Sequence, residues 1–218
     1  ETITSDITGF PRLKYNRNKP FNKPVTYYNH FKPSDEVNIP RAYIIPQGWF
    51  NVIDLLKLNV VEMERFENDT IINVESYKIN SFETVKTPFE GHYMHYNTAI
   101  IKKSEQITFH AGDFLITTNQ PAIRYLLETL EPQAPDSFFN WNFFDSILQQ
   151  KEGFSPYVWE DLAFDLLKNN PELKEIFEKK RNTEKDFANN WYVQLNWLYE
   201  QSDYYEKAHL QYPVYRIK

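Results

Sequence analysis

The sequence predicts an α+β fold: a mixed β-sheet with one βαβ crossover in the N-terminal half, then a helical C-terminal half. Between Ala42 and Thr117, short apolar runs alternate with polar residues, the period of half-buried strands. After Asn119 the apolar positions recur three and four apart, as at Ile123, Leu126, Leu127 and Leu130, the period of amphipathic helices. With 218 residues, 41% hydrophobic and 25% charged, the chain suits one large domain or two small ones, hiding roughly 70% of its unfolded surface.

Residues 1–40 read as an extended arm packed on the domain. Five of the thirteen prolines fall here (Pro11, Pro20, Pro24, Pro33, Pro40), and each removes a backbone donor and opposes helix. Phe10, Tyr15, Phe21, Tyr27, Tyr28 and Phe31 make the arm too apolar for a disordered tail, with an edge strand expected at Pro24–Tyr28. Residues 41–218 form a single α+β domain: β-rich over 41–118, helical over 119–202, and a Tyr-rich tail over 203–218.

Within the β-rich part, Ala42–Ile45 is a strand, Trp49–Leu58 a helix and Val60–Phe66 a second strand, which together make the crossover. Ile71–Ile79 continues as a strand. His92–Lys102 and Gln106–Thr117 are expected to pair, with His110-Ala-Gly-Asp113 as a tight turn. Pro121–Leu130 is then a helix. Asp136 or Ser137 caps another through Gln149, and Ser155-Pro156 and Asn170-Pro171 open two more. Thr183 with Asp186 approximates a capping box for a last helix bearing Phe187, Trp191, Leu195 and Leu198.

Composition excludes several functions. A net charge of −6 opposes nucleic-acid binding, which requires a basic surface. Between Tyr125 and Asp165 eight acids face only Lys151, the pattern of solvated helix faces. Cysteine is absent, so neither disulfides nor thiolate zinc sites exist. No apolar run has transmembrane length. Gly48 stands alone after the first strand, without a Gly-rich phosphate loop, and neither a G-x-S-x-G elbow nor a calcium loop occurs. The acid pairs Glu160-Asp161 and Asp136 with Asp145 have no spacing that fixes catalytic geometry.

Several segments carry a resemblance: the aromatic block Leu127–Phe154, a PKAYIIPQGW-like run around Arg41–Trp49, VIDLLKLN at Val52–Asn59, FEGHYMHYN at Phe89–Asn97, GDFLITTNQPAIRYLLE at Gly112–Glu128 and QYPVYRIK at the end. In these the chain resembles the C-terminal, non-peptidase portion of bacterial zinc carboxypeptidases of the carboxypeptidase A-like family. The resemblance implies an accessory domain of a secreted or periplasmic protein, partnered by the peptidase domain of the same polypeptide, with no signal peptide in this chain. That family holds zinc with H-x-x-E and a later His. Here the residues three after the five histidines are Pro33, His95, Thr98, Asp113 and Tyr212. No catalytic residue, and no cofactor in this chain, is therefore expected; zinc belongs to the peptidase domain.

His92, His95 and His110 remain the candidate metal ligands. On a strand the odd spacing of His92 and His95 sends them to opposite faces, so satisfied structural histidines are the stronger expectation. The rings of Phe138, Phe139, Trp141, Phe143 and Phe144 fit core packing better than an exposed shelf, because Phe dominates. A glycan, peptidoglycan or peptide ligand held on exposed aromatics is the alternative function, and the exposure of the five tryptophans discriminates.

Overall fold

A computed structural model describes residues 1–33 and 36–218, and the chain divides into two units, Glu1–Asn38 and Ile39–Lys218. Ser34 and Asp35, inside the predicted arm, lie outside the described residues. The first unit contains a two-stranded antiparallel hairpin, β1 (Thr2–Thr4) with β2 (Pro11–Leu13). Its turn closes through the N–H of Ser5 donating to the carbonyl of Phe10 and that of Gly9 to Ser5, 2.9 Å each. Pro24–Tyr28 is not a strand: Pro24 removes a ladder donor, and Pro20 just before it keeps the approach irregular.

The second unit has a six-stranded sheet in the order β4-β7-β3-β8-β5-β6. Its strands are β3 (Ala42–Ile45), β4 (Glu64–Arg65), β5 (Thr70–Thr84), β6 (His95–Phe109), β7 (Phe114–Thr117) and β8 (Tyr215–Ile217). Helix α1 (Phe50–Leu58) joins β3 to β4. The crossover exists, but β7 inserts between its two strands and pairs antiparallel with both. Among the described residues every neighbouring pair in the sheet is antiparallel, where a mixed sheet was expected.

The predicted pairing of His92–Lys102 with Gln106–Thr117 is also replaced. Lys103-Ser104-Glu105 does not turn the chain; β6 runs through it and pairs along β5 over its whole length. The side chains of Ser76, Lys103 and Glu105 bond one another, so polar alternation here marks a wet sheet face rather than a loop. The turn at His110–Asp113 does form, yet it hands the chain to β7 on the far side of the sheet. Asp113 holds this turn by accepting from the backbone N–H of His110 at 2.8 Å and of Gln47 at 2.9 Å. Gly112 sits at φ 97°, a backbone conformation that side chains with a Cβ rarely adopt, so glycine suits this turn.

Helix α2 (Ile123–Leu130) matches its prediction. The helix expected from Asp136 to Gln149 is absent: the chain makes successive turns and one 3₁₀ turn at Asp145–Leu148. Asn142 lies at φ 65°, a conformation no helix interior accepts. Ser137 and Asn140 spend their side chains on backbone, Asn140 on the carbonyl of Ala134 at 2.9 Å, the competition that makes such residues turn formers.

Helices α3 (Pro156–Asn169), α4 (Pro171–Thr183), α5 (Lys185–Ala188) and α6 (Trp191–Glu200) follow. Thr183 is the end of α4 and caps nothing. Asn190 instead caps α6, its side chain accepting from the N–H of Val193 at 3.2 Å. The tail then returns as β8 in the middle of the sheet, between β3 and β5.

Two cores result. Tyr43, Ile45, Val52, Leu56, Ile116, Leu126, Phe139, Phe144 and Tyr212 fill the space between the sheet, α1, α2 and the aromatic turns. Trp159, Ala163, Phe177, Phe187, Leu198 and Tyr199 form another among α3–α6.

Candidate functional site

The end of the β5–β6 hairpin gathers the polar and aromatic groups that chemistry or recognition would use. Thr84 and His95 are cross-strand partners there. The aromatic turns run beneath them, because the N–H of His95 donates to the carbonyl of Asn140 at 2.8 Å. His95 is buried between the rings of Phe82 and Phe139, 4.6 and 5.1 Å away. Its Nδ1 lies 2.9 Å from Thr84 Oγ1 and its Nε2 3.0 Å from Asp145 Oδ1. An ionised carboxylate only accepts, so Nε2 carries a proton toward Asp145, although Asn142 Nδ2 also lies 3.2 Å from that nitrogen, and Nδ1 pairs with the Thr84 hydroxyl. Both nitrogens are then occupied within the protein.

Asn142 meets the same ring at its edge, Nδ2 lying 3.2 Å from Nε2. Its Nδ2 donates to the carbonyl of Tyr93 at 2.9 Å, and its buried Oδ1 has no hydrogen-bond partner among the described residues. His92 lies outside the strand, on a two-residue turn in which Phe89 and His92 exchange backbone bonds of 2.9 Å. Glu90 and Gly91 take positive φ there, 49° and 84°, the type I′ geometry that suits a hairpin. The His92 ring stacks on Phe143 at 5.9 Å and meets the edge of Trp141 at 5.5 Å. Exposed Phe89 and Tyr93 border these rings.

The three candidate histidines do not converge. His110 lies just past the opposite end of β6 from His95, fifteen residues or roughly 50 Å away along the strand at about 3.3 Å per residue. It bonds Asp69 at 3.1 Å. Among the described residues no three His, Cys, Asp or Glu side chains form a group able to hold a metal ion. Of the acid pairs, Asp145 has joined His95, whereas Asp136 lies 3.5 Å from the Trp141 indole N–H. The block's Phe138, Phe139 and Phe144 are core, as expected, and Trp141 and Phe143 are half-buried.

A second polar constellation lies inside the sheet. Arg216 of β8 is buried with Glu75 of β5 and with Glu131, just beyond α2. Its Nε is 3.1 Å from Glu131, whose carboxylate also accepts from the Tyr43 hydroxyl at 2.6 Å. Nη1 bonds both Glu75 and the Tyr77 hydroxyl, and Lys218 reaches Glu75 at 2.7 Å. Burial raises the Tyr43 and Tyr77 hydroxyls above their ordinary range, and the Glu131 charge adds to it. Burial also works to raise Glu75, but the Lys218 hydrogen bond and the Arg216 charge outweigh it and leave the carboxyl below its usual value. These ions are matched and shielded, an arrangement for holding strands together. Sequence reasoning missed it because an Arg between two strand residues gives no sign of burial until its carboxylates are placed.

Over 100 residues, 45% of its length, the chain is 29% identical to proteins named Carboxypeptidase 2 from Trichophyton tonsurans and Trichophyton equinum. A third, from Trichophyton rubrum, matches to the same extent. The chain contains a carboxypeptidase-related region. The matched stretch covers only 18% of the length of those relatives, and they are fungal, whereas the sequence resemblance pointed to bacterial proteins. No family model matches, and no solved structure matches. Among the described residues no helix is long and apolar enough to cross a membrane.

Proposed function

We propose that this chain is a non-catalytic accessory part of a secreted carboxypeptidase-related protein. It supports the peptidase portion or shapes access to its zinc site. The observation that carries this reading is the 29% identity to Carboxypeptidase 2 over a stretch amounting to 18% of those proteins. The H-x-x-E spacing by which such peptidases hold zinc is missing from the sequence, and His95, the most enclosed imidazole, has both nitrogens engaged. The peptidase portion, with its zinc, is the natural partner. The test is direct: the purified chain, with zinc added, is assayed on peptides with free C-termini. No turnover is expected, and release of C-terminal residues at enzyme-like rates overturns the reading.

A second reading, a glycan- or peptide-binding surface, is favoured by one observation. Trp159 is buried and Trp49, Trp141 and Trp197 are half-buried, but Trp191 is 61% exposed beside exposed Tyr192. Flat aromatic faces next to polar groups suit sugar rings. Titration of the chain with soluble peptidoglycan fragments, followed by tryptophan fluorescence, tests it; an unchanged spectrum at saturating fragment removes its support.

A further inference from the structure

Residues Ile7 to Pro33 carry six basic side chains, Arg12, Lys14, Arg17, Lys19, Lys23 and Lys32, and no acid. The protein as a whole is at −6, so this segment is opposite in sign to the rest. It also displays large apolar side chains to solvent: Tyr15 and Phe31 are 94% and 96% exposed, and Phe21, Val25, Tyr27 and Tyr28 nearly as much. Monomeric proteins rarely leave such continuous apolar surface open. Prolines at 20, 24 and 33 keep the backbone extended and limit the entropy lost on docking. Basic charge alone would suit any polyanion. The interleaved Phe, Val and Tyr ask for a partner with apolar surface as well as acids, which an acidic, aromatic protein face supplies.

A surface of that chemistry is present on α3. Its inner face, Trp159 and Ala163, belongs to the helical core. Its outer face presents Tyr157, 90% exposed, and Phe164, 69% exposed, separated by Glu160 and Asp161 and followed by Asp165. Spacings of three and four place these side chains side by side. The fourteen residues of α3 span roughly 21 Å at about 1.5 Å per residue. About seven residues of extended chain cover that length at about 3.1 Å each, which is the stretch holding Phe21, Lys23, Val25 and Tyr27.

We propose that residues 7–33 of one copy dock on the outer face of α3 of a second copy, joining two chains by exchanged arms. Lysines and arginines of the arm meet Glu160, Asp161 and Asp165, and arm aromatics cover Tyr157 and Phe164. This goes beyond the accessory role and stands or falls apart from it, because its readout is mass and not peptidase chemistry.

Sedimentation velocity of the full chain from low to high micromolar concentration tests the proposal. A concentration-dependent dimer is expected, weakened when salt rises from about 0.15 M to about 1 M and the screening length falls from about 8 to about 3 Å. Two variants leave the cores untouched: Lys14→Glu/Lys23→Glu/Lys32→Glu in the arm, and Glu160→Lys/Asp161→Lys/Asp165→Lys on α3. Each alone is expected to be monomeric with an unchanged circular dichroism spectrum, and mixing the two restores a dimer. A wild-type chain that stays monomeric throughout overturns the proposal. So does association that survives the α3 variant, and so does an arm crosslinked only to its own chain.

Discussion

Val60 stands in the left-handed region at the end of α1, with φ 58°. It does so because the helix closes there by a Schellman arrangement: the N–H of Val61 reaches the carbonyl of Leu56 at 3.0 Å and that of Val60 reaches Lys57 at 2.9 Å. Glycine is the usual occupant, since an L side chain in this conformation costs roughly 1–2 kcal/mol and a β-branched one is the poorest choice. The Val60 side chain is 83% exposed and contributes little burial in return. Val60→Gly is expected to raise stability by about 1 kcal/mol after the added flexibility of the unfolded chain is counted, read as a higher urea midpoint at unchanged slope. Sequence reasoning placed a strand from Val60 to Phe66 because three apolar residues follow the helix. Val61 instead returns to the core beneath Leu56, and only Glu64–Arg65 pairs in the sheet. Glu75 gives a second outcome at this scale. Its folded carboxyl is held below the unfolded value of about 4.3, by Lys218 and Arg216 acting against burial. Its contribution is therefore complete above that value and is lost as pH falls through the folded one. Between wild type and Glu75→Gln, the stability difference measured by urea unfolding is expected to shrink as pH drops below about 4.3; a difference that stays constant to low pH contradicts the assignment.

At the scale of elements, helices α1 to α4 were legible because each carries its own apolar stripe and its own punctuation: Pro156 and Pro171 at helix starts, Asn170 accepting from the N–H of Leu173 at 3.1 Å. The span from Asp136 to Gln149 was not. Phe139, Phe143 and Ile147 are spaced four apart as on a helix, yet each faces the core from a turn, held by Ser137, Asn140 and Asn142. The spacing is the same in both cases; only the side-chain bonds to backbone tell them apart. The His95–Asp145 contact was unreadable for the same reason, since fifty residues and a misassigned helix separate its members. Strand β8 was hidden more completely: three residues with an Arg at the centre, in a tail that looked merely Tyr-rich. Arg216 is what fastens that strand between β3 and β5. Removing one partner of a buried ionic set leaves the others uncompensated, at a cost of roughly 3–5 kcal/mol. Arg216→Ala is expected to lose stability of that order in urea unfolding. A loss below about 1 kcal/mol, the range of exposed pairs, shows that water already shields Glu75 and Glu131.

For the 39–218 unit as a whole, the two cores differ in how they are tied together. The sheet core is closed by contacts between residues far apart in sequence: β8 with β3, β7 with β4, Tyr212 donating to the carbonyl of Leu130 at 2.8 Å. The helical core is local. Helix α3 packs on α4 and α6, and α5 on α4 and α6, all within residues 156–200. Cooperative opening follows such divisions, and a unit that packs mainly on itself opens without melting the remainder. Phe187 is buried between Phe177 and Trp197, with ring centres 5.7 and 6.2 Å away, so Phe187→Ala removes roughly 3–5 kcal/mol from that core. In native-state hydrogen exchange this variant is expected to speed exchange of amides in α3, α4 and α6 by the full amount, while amides of β3, β7 and β8 keep wild-type rates. Equal acceleration in both sets means that the helices and the sheet unfold as one, and the same pattern would make any partner docking on α3 a direct lever on the stability of the sheet.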